Sequence, residues 1–204
     1  GDWVINEACQ FAANLAAQGT PFTVAINLTA KQFYHDGLID HLQQTLTNTG
    51  CAPELLELEL TESVLANDVE RASTILNTVS EMGISLAIDD FGTGYSSLNY
   101  LKLFPFSTIK IARSFITDAP NNIQDKAIVT TIMQLAHNFG MSIVAEGVET
   151  KEEYSMLKSV VSSLGKSQIQ GFILSKPLLC TDIPHDENEF VSLWQDINGD
   201  LSKE

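Results

Sequence analysis

The sequence predicts an α/β fold built on a parallel sheet. Short apolar segments alternate with amphipathic segments of helical period along most of the 204 residues. This alternation is typical of βα units, in which a helix connects each parallel strand to the next. Hydrophobic residues make up 44% of the chain, which is enough for a buried core and excludes a disordered chain. One globular domain is the simplest expectation.

Each element is indicated by the period of its apolar residues and by the residues at its ends. The first helix places Val4, Ala8 and Phe11 on one face, and Gly19 and Pro21 stop it. By the same criteria, the predicted helices cover residues 2–18, 37–47, 66–82, 97–103, 122–139 and 152–164. The predicted strands cover residues 22–28, 55–60, 84–88, 108–111, 142–145 and 169–173.

Two architectures fit six strands in this order. A closed (β/α)₈ barrel needs eight strands and usually about 250 residues, so a barrel reading implies that the first strands are missing before the initial helix. An open doubly wound sheet is the alternative, although no glycine-rich phosphate loop follows the first strand. We expect residues 1–184 to form an N-terminally incomplete barrel domain. Residues 185–204 read as an acidic C-terminal segment with a short helix.

The charge balance excludes a general binder of DNA or RNA. The chain has 26 acidic and 11 basic residues, giving a formal net charge of −15, whereas binding to the phosphate backbone needs clustered Lys and Arg. A phosphate substrate would have to be held by a few placed cations or by metal ions.

Several other classes of site and location are disfavoured. Cys9, Cys51 and Cys180 have neither zinc-site nor disulfide-framework spacing. The chain has no apolar run of about 20 residues and does not begin with a signal-peptide pattern. These features predict a cytoplasmic location for this chain, with no membrane segment.

Polar side chains gather where the predicted strands end. In parallel α/β folds, active sites form at the carboxyl ends of the strands. Any one of these residues has an ordinary explanation as a helix cap, a turn former or a surface group. Together, clustered carboxylates need cations, and oxygen ligands without Cys or His favour Mg²⁺ or Mn²⁺. The candidates are Asn27, Glu59, Glu62, Asp89, Asp90, Lys110, Glu146, Glu149 and Gln170.

Lys110 is the most informative single residue. It lies between two isoleucines on a predicted strand, and a buried lysine is rare unless it is paired. We therefore expect its ammonium group to face the carboxylates or a phosphate.

Six segments in order resemble the motifs of EAL domains, which are bacterial phosphodiesterases of cyclic di-GMP. They are NLTAKQF (27–33), ELTES (59–63), DDFGTGYSSL (89–98), IKIARSFI (109–116), AEGVET (145–150) and QGFILSKP (170–177). The resemblance implies a modified TIM barrel that hydrolyses cyclic di-GMP to linear pGpG with Mg²⁺ or Mn²⁺, in a two-metal site. It also implies a homodimer involving the loop 90–97. Upstream sensory or GGDEF (diguanylate cyclase) domains are implied too, and they could tether the protein to the inner membrane.

The resemblance also implies roles for individual residues. Asn27, Glu59, Asp89 and Asp90 would be metal ligands, and Asp89 would also orient the attacking water. Lys110 would activate or position that water and contact the substrate phosphate. Glu146 would join the metal and water network, Gln170 would lie beside the substrate, and Glu62 and Glu149 would brace loops.

Two departures from the family pattern bear on activity. The Glu-Ala-Leu signature, whose glutamate is a metal ligand in the family, is absent because that segment would precede Gly1. Ala112 stands where the family's Lys-Ile-Asp-Arg stretch carries an acid. Three readings therefore stay open: a hydrolase, a non-catalytic module that binds cyclic di-GMP or a partner protein, and a truncated remnant that folds poorly.

Overall fold

The structure is a computed structural model that describes residues 2–94, 98–161 and 167–183. The chain divides into two compact units, residues 1–110 and residues 111–204.

The first unit is a layered α/β arrangement. Its strands are β1 (Val24–Asn27), β2 (Leu56–Thr61), β3 (Ser85–Phe91) and β4 (Thr108–Ile111), which ends one residue past the boundary. Its helices are α1 (Asp2–Ala17), α2 (Ala30–Phe33), α3 (Leu38–Thr49), α4 (Glu62–Ala66), α5 (Val69–Glu81) and α6 (Leu98–Leu103). The strands follow one another in sheet order, and the β1–β2 and β2–β3 pairs are parallel.

The alternation of residues on β2 explains how one strand serves both core and site. Leu56, Leu58 and Leu60 are each at most 1% exposed. Because successive side chains of a strand point to opposite faces, Glu57 and Glu59 lie on the other face. The sequence of β2 therefore anchors one face in the core and presents carboxylates on the other.

The second unit contains two parallel strands and three α-helices among its described residues. The helices are α7 (Arg113–Asp118), α8 (Ile123–Asn138) and α9 (Lys151–Val161), and the strands are β5 (Ser142–Glu146) and β6 (Ser167–Gln170). On α8, Val129, Ile132, Met133 and Ala136 form a buried stripe at helical spacing.

The predicted α/β class with a parallel sheet is confirmed, and the described residues contain six strands. Three short helices, α2, α4 and α7, were not predicted. The predicted helix over residues 66–82 corresponds to α5, which begins later, at Val69, because Asp68 caps it by accepting a hydrogen bond from the Arg71 amide at 3.0 Å. The last strand begins and ends earlier than predicted and stops at Gln170. The predicted C-terminal helix within 185–204 lies outside the described residues.

Candidate active site

A buried ion pair lies at the centre of the first unit's polar residues. The Lys110 ammonium is 2.6 Å from Glu59 Oε1, and the two side chains are 4% and 5% exposed. Asp89 Oδ1 lies 3.6 Å from the same Nζ atom. The isoleucines on either side of Lys110 are fully buried. The ammonium group is therefore held in the protein interior beside two carboxylates, as the sequence predicted for a buried lysine.

The second oxygen of Glu59 is held by Asn27. Asn27 Nδ2 donates a hydrogen bond to Glu59 Oε2 at 2.7 Å, and the two residues are register partners on β1 and β2. Since the amide nitrogen serves as the donor, the amide oxygen of Asn27 has the lone pairs that a metal ligand needs. The ends of β1 and β2 thus bring an amide and a carboxylate together.

The end of β3 turns sharply at the paired aspartates. Asp90 has φ of +51°, a left-handed conformation that Asp tolerates better than most residues. Its backbone amide donates to Asp89 Oδ1 at 3.0 Å, and Thr93 donates to the Asp90 carbonyl through its amide at 3.2 Å and its hydroxyl at 2.9 Å. In a regular strand, the side chains of Asp89 and Asp90 would point to opposite faces. The turn at Asp90 interrupts this alternation, as is needed if both aspartates are to serve one site.

Glu62 connects α4 to the loop that follows β3. Its Oε1 accepts a hydrogen bond from the Gly92 amide at 2.9 Å, and the residue is 7% exposed. A buried carboxylate that accepts from a loop amide fixes the position of that loop. The contact is of the kind that a loop-supporting role requires.

In the second unit, β5 and β6 each end on a predicted site residue. Glu146 and Gln170 are register partners in the parallel pair. In the loop after β5, the Val148 amide donates to the Gln170 carbonyl at the end of β6 at 3.1 Å, and a Cβ on Gly171 would clash with the Val148 carbonyl oxygen. Glycine is therefore required where the two loops meet.

The loop after β5 is held by ion pairing and by a helix cap. Arg113 pairs with Glu149 Oε2 at 2.8 Å. The buried Glu153 carboxylate accepts hydrogen bonds from the amides of Glu149 at 2.7 Å and Thr150 at 3.0 Å, and the Glu153 amide donates to Thr150 Oγ1. Sequence reasoning missed Glu153, although Thr150-x-x-Glu153 is a capping-box pattern that could have identified it.

The donor set of the first unit fits a divalent cation. Glu59, Asp89 and Asp90 carry three negative charges against the single positive charge of Lys110. The available metal-binding atoms are the carboxylate oxygens of these three residues and the amide oxygen of Asn27. Such hard donors suit Mg²⁺ or Mn²⁺, and a divalent cation would balance the remaining two negative charges.

Comparison with known proteins identifies the family. The EAL domain family matches residues 1–177. This chain belongs to the EAL domain family. The matched region includes every predicted site residue, from Asn27 to Gln170.

Curated relatives are longer than this EAL domain. It is 42% identical over 179 residues to the bifunctional diguanylate cyclase/cyclic di-GMP phosphodiesterase MucR of Pseudomonas aeruginosa. The match covers 87% of this chain and 26% of MucR. The chain therefore spans about a quarter of that relative's length.

Solved EAL domains share the fold. The cyclic di-GMP complex of the PaMucR phosphodiesterase matches with a TM-score of 0.81 at 41% identity, covering 87% of this chain and 71% of that one. A manganese and cyclic di-GMP complex of Klebsiella pneumoniae BlrP1 matches with a TM-score of 0.74 at 32% identity, covering 88% and 45%. These matches confirm the predicted TIM-barrel-like class. Among the described residues, no helix combines the length and apolar character needed to cross a bilayer.

Proposed function

We propose that this EAL domain hydrolyses cyclic di-GMP to linear pGpG with Mg²⁺ or Mn²⁺. The observation that carries the proposal is the buried cluster in which Lys110 lies between Glu59 and Asp89 while Asn27 holds the second oxygen of Glu59. Its donors suit a metal ion that also binds phosphate oxygens. The relatives support the substrate, because MucR is named as a cyclic di-GMP phosphodiesterase and the PaMucR structure contains cyclic di-GMP.

Each residue of the first unit has a distinct proposed task. Asn27, Glu59, Asp89 and Asp90 would hold the metal ions, which lower the pKa of bound water and neutralise phosphate charge when bound. Asp89 would orient the attacking water through its carboxylate. Lys110 would hold that water or a phosphate oxygen with its ammonium group, which Glu59 fixes in place at 2.6 Å.

The second unit contributes further proposed roles. Glu146 would join the metal and water network, and Gln170 would lie beside the substrate. Both residues end parallel strands, which is where active-site residues of this fold class gather. Glu149, which pairs with Arg113, would brace the loop that follows β5.

A non-catalytic receptor for cyclic di-GMP is the second candidate, favoured by Ala112. This residue is the N-cap of α7, is 2% exposed and makes no side-chain cap hydrogen bond. The acid expected there from the family pattern is absent, so a charge close in sequence to Lys110 is missing. Under this reading, the protein would bind cyclic di-GMP tightly without turnover, and Ala112→Asp would raise turnover.

The decisive experiment measures product directly. The purified protein is incubated with cyclic di-GMP and Mn²⁺, and linear pGpG is followed by chromatography, with EDTA as the metal control. We expect Asp89→Asn to lower turnover by more than about 100-fold, because the isosteric amide removes the charge and keeps the shape. Asp36→Asn is the matched control, since Asp36 pairs with Arg71 on the surface, where its side chain is 98% exposed.

The outcomes separate the candidate functions. Metal-dependent product that is lost in Asp89→Asn supports the hydrolase. Binding of cyclic di-GMP by equilibrium dialysis with no product supports the receptor. The absence of both binding and product contradicts both candidate functions.

The predicted partners are part of this proposal. We propose that upstream sensory or GGDEF domains accompany the EAL domain, since MucR is named as bifunctional and the match covers 26% of its length. The predicted homodimer and the cytoplasmic or membrane-tethered location stay predictions. Sedimentation of the protein with and without cyclic di-GMP tests the dimer.

A further inference from the structure

Lys110 and Glu59 meet across an intervening strand. Lys110 is on β4 and Glu59 is on β2, while β3 lies between them in the sheet. Two strand spacings amount to about 9–10 Å, yet Nζ and Oε1 are 2.6 Å apart. Both side chains must therefore extend over the face of β3, and whatever β3 presents there decides whether they can meet.

The residue that β3 presents beneath the ion pair is Ala87. Ala87 is the register partner of Glu59, so both side chains point to the same face of the sheet. Ala87 is fully buried. Its side chain ends at Cβ, which leaves the space above β3 to the long side chains of Glu59 and Lys110.

A similar contact from β4 to β2 occurs two residues earlier along the strands. Ser85 is the register partner of Glu57, and Thr108 Oγ1 donates a hydrogen bond to Glu57 Oε2 at 2.6 Å, again from β4 to β2. Two residues on from Ala87, the face of β3 carries Asp89, whose Oδ1 is 3.6 Å from Lys110 Nζ. A small residue of β3, Ser85 or Ala87, is therefore the register partner at each of these contacts from β4 to β2. The first longer side chain on this face of β3 is Asp89, which lies beside Lys110.

We propose that Ala87 is a positioning residue, whose small side chain allows Lys110 to reach Glu59 and so fixes the ammonium group beside Asp89. A β-branched residue at this position places methyl groups in the space that the Lys110 and Glu59 side chains use. The ion pair then separates, and two buried carboxylates lose their cation. The catalytic consequence rests on the proposed hydrolase function, whereas the structural consequence does not.

A double-mutant cycle on stability tests the structural part. The unfolding equilibrium constant is measured by urea denaturation in EDTA for the wild type, Ala87→Val, Lys110→Met and the double variant. Met is a long unbranched side chain like Lys but carries no charge, so crowding by Val is retained and only the ion pair differs. We expect Ala87→Val to raise the unfolding constant at least tenfold more in the wild-type background than in the Lys110→Met background.

Two control variants test whether the effect is specific to position 87 and to a larger side chain there. Ala72→Val overpacks an equally buried site on α5, and Ala87→Gly leaves the space open. We expect both to change the unfolding constant by the same factor in the two backgrounds, within about twofold. If Ala87→Val shows no cooperative transition, Ala87→Ser replaces it in the cycle, with an expected non-additivity of at least threefold. The proposal would be overturned if the larger residue at position 87 changed the unfolding constant by the same factor in the wild-type and Lys110→Met backgrounds.

Steady-state kinetics test the catalytic part. We expect Ala87→Val to lower kcat at least tenfold with KM for cyclic di-GMP within about threefold, and Ala87→Gly to retain kcat within about threefold. Loss of kcat in both Ala87 variants, or an equal loss in Ala72→Val, would refute positioning by size. If the wild type hydrolyses nothing, the proposed function fails, and the stability cycle still decides the role of Ala87.

Discussion

Lys110→Met gives a direct measure of how strongly the candidate site depends on charge compensation. In the wild type, Lys110 and Glu59 are almost completely buried, with Nζ and Oε1 2.6 Å apart. Breaking such a pair from one side leaves a buried charge without its partner and typically costs about 3–5 kcal/mol. Met keeps most of the apolar stem, so we expect the free energy of unfolding to fall by about that amount in EDTA.

The assay is urea denaturation at constant pH, because a shift of the midpoint at constant slope reports stability alone. Adding Glu59→Gln to Lys110→Met removes the uncompensated charge and should recover more than half of the loss. Mn²⁺ should stabilise the Lys110→Met variant more than the wild type, since the metal ion then supplies the positive charge that the ammonium group supplied. Asp36→Asn, which breaks an exposed ion pair, should change stability by less than about 0.5 kcal/mol.

Two results would refute this reasoning. A loss below about 1 kcal/mol for Lys110→Met would mean that Lys110 does not compensate a buried charge. A double variant no more stable than Lys110→Met would mean that Glu59 is not the charge being compensated.

Three further predictions concern positions outside this ion pair. Gly147→Ala should cost about 1–3 kcal/mol more than Gly140→Ala in thermal melts; both glycines have positive φ, but of the two only Gly147 has the Arg113 stem in the space that a Cβ would occupy. Ala112→Ser should stabilise the protein by about 1 kcal/mol in urea by capping α7, which has no side-chain cap; unchanged stability would contradict this. Burial raises the pKa of the Cys9 thiol from 9.0 to about 12, so the folded protein retains a proton that the unfolded chain loses above about pH 9. Relative to Cys9→Ala, stability should therefore be constant below about pH 9 and fall by about 1.4 kcal/mol per pH unit between about pH 9 and the folded-state pKa of about 12.

The sequence predicted where several candidate residues fall relative to the strands, because strand ends are determined locally. A short apolar run that stops at a carboxylate is visible in one segment, as at Asp89 and Glu146. Parallel pairing then places such ends on one edge of a sheet, as the Asn27–Glu59 and Glu146–Gln170 register partners demonstrate. No distant contact was needed for that prediction.

The contacts between these residues could not be predicted from the sequence, because they depend on register and backbone angles. The sequence indicated that Lys110 needs a partner, but the choice of Glu59 depends on β3 lying between β2 and β4 with an alanine at position 87. The left-handed conformation of Asp90 is likewise a property of the folded turn. The start of α5 at Val69, later than the predicted start at residue 66, follows from one side-chain cap at Asp68.

The burial of the Lys110–Glu59 pair itself argues for function over stability. Replacing a buried ion pair by well-packed apolar residues is often neutral or stabilising by about 1–4 kcal/mol, and the isoleucines on either side of Lys110 in β4 are fully buried. Folding alone would therefore be served at least as well by apolar residues at positions 59 and 110. Because one oxygen of Glu59 contacts Lys110 and the other accepts from Asn27, the charges are held in a fixed geometry. A fixed geometry of this kind is what a catalytic or metal-binding site requires, and the protein core does not.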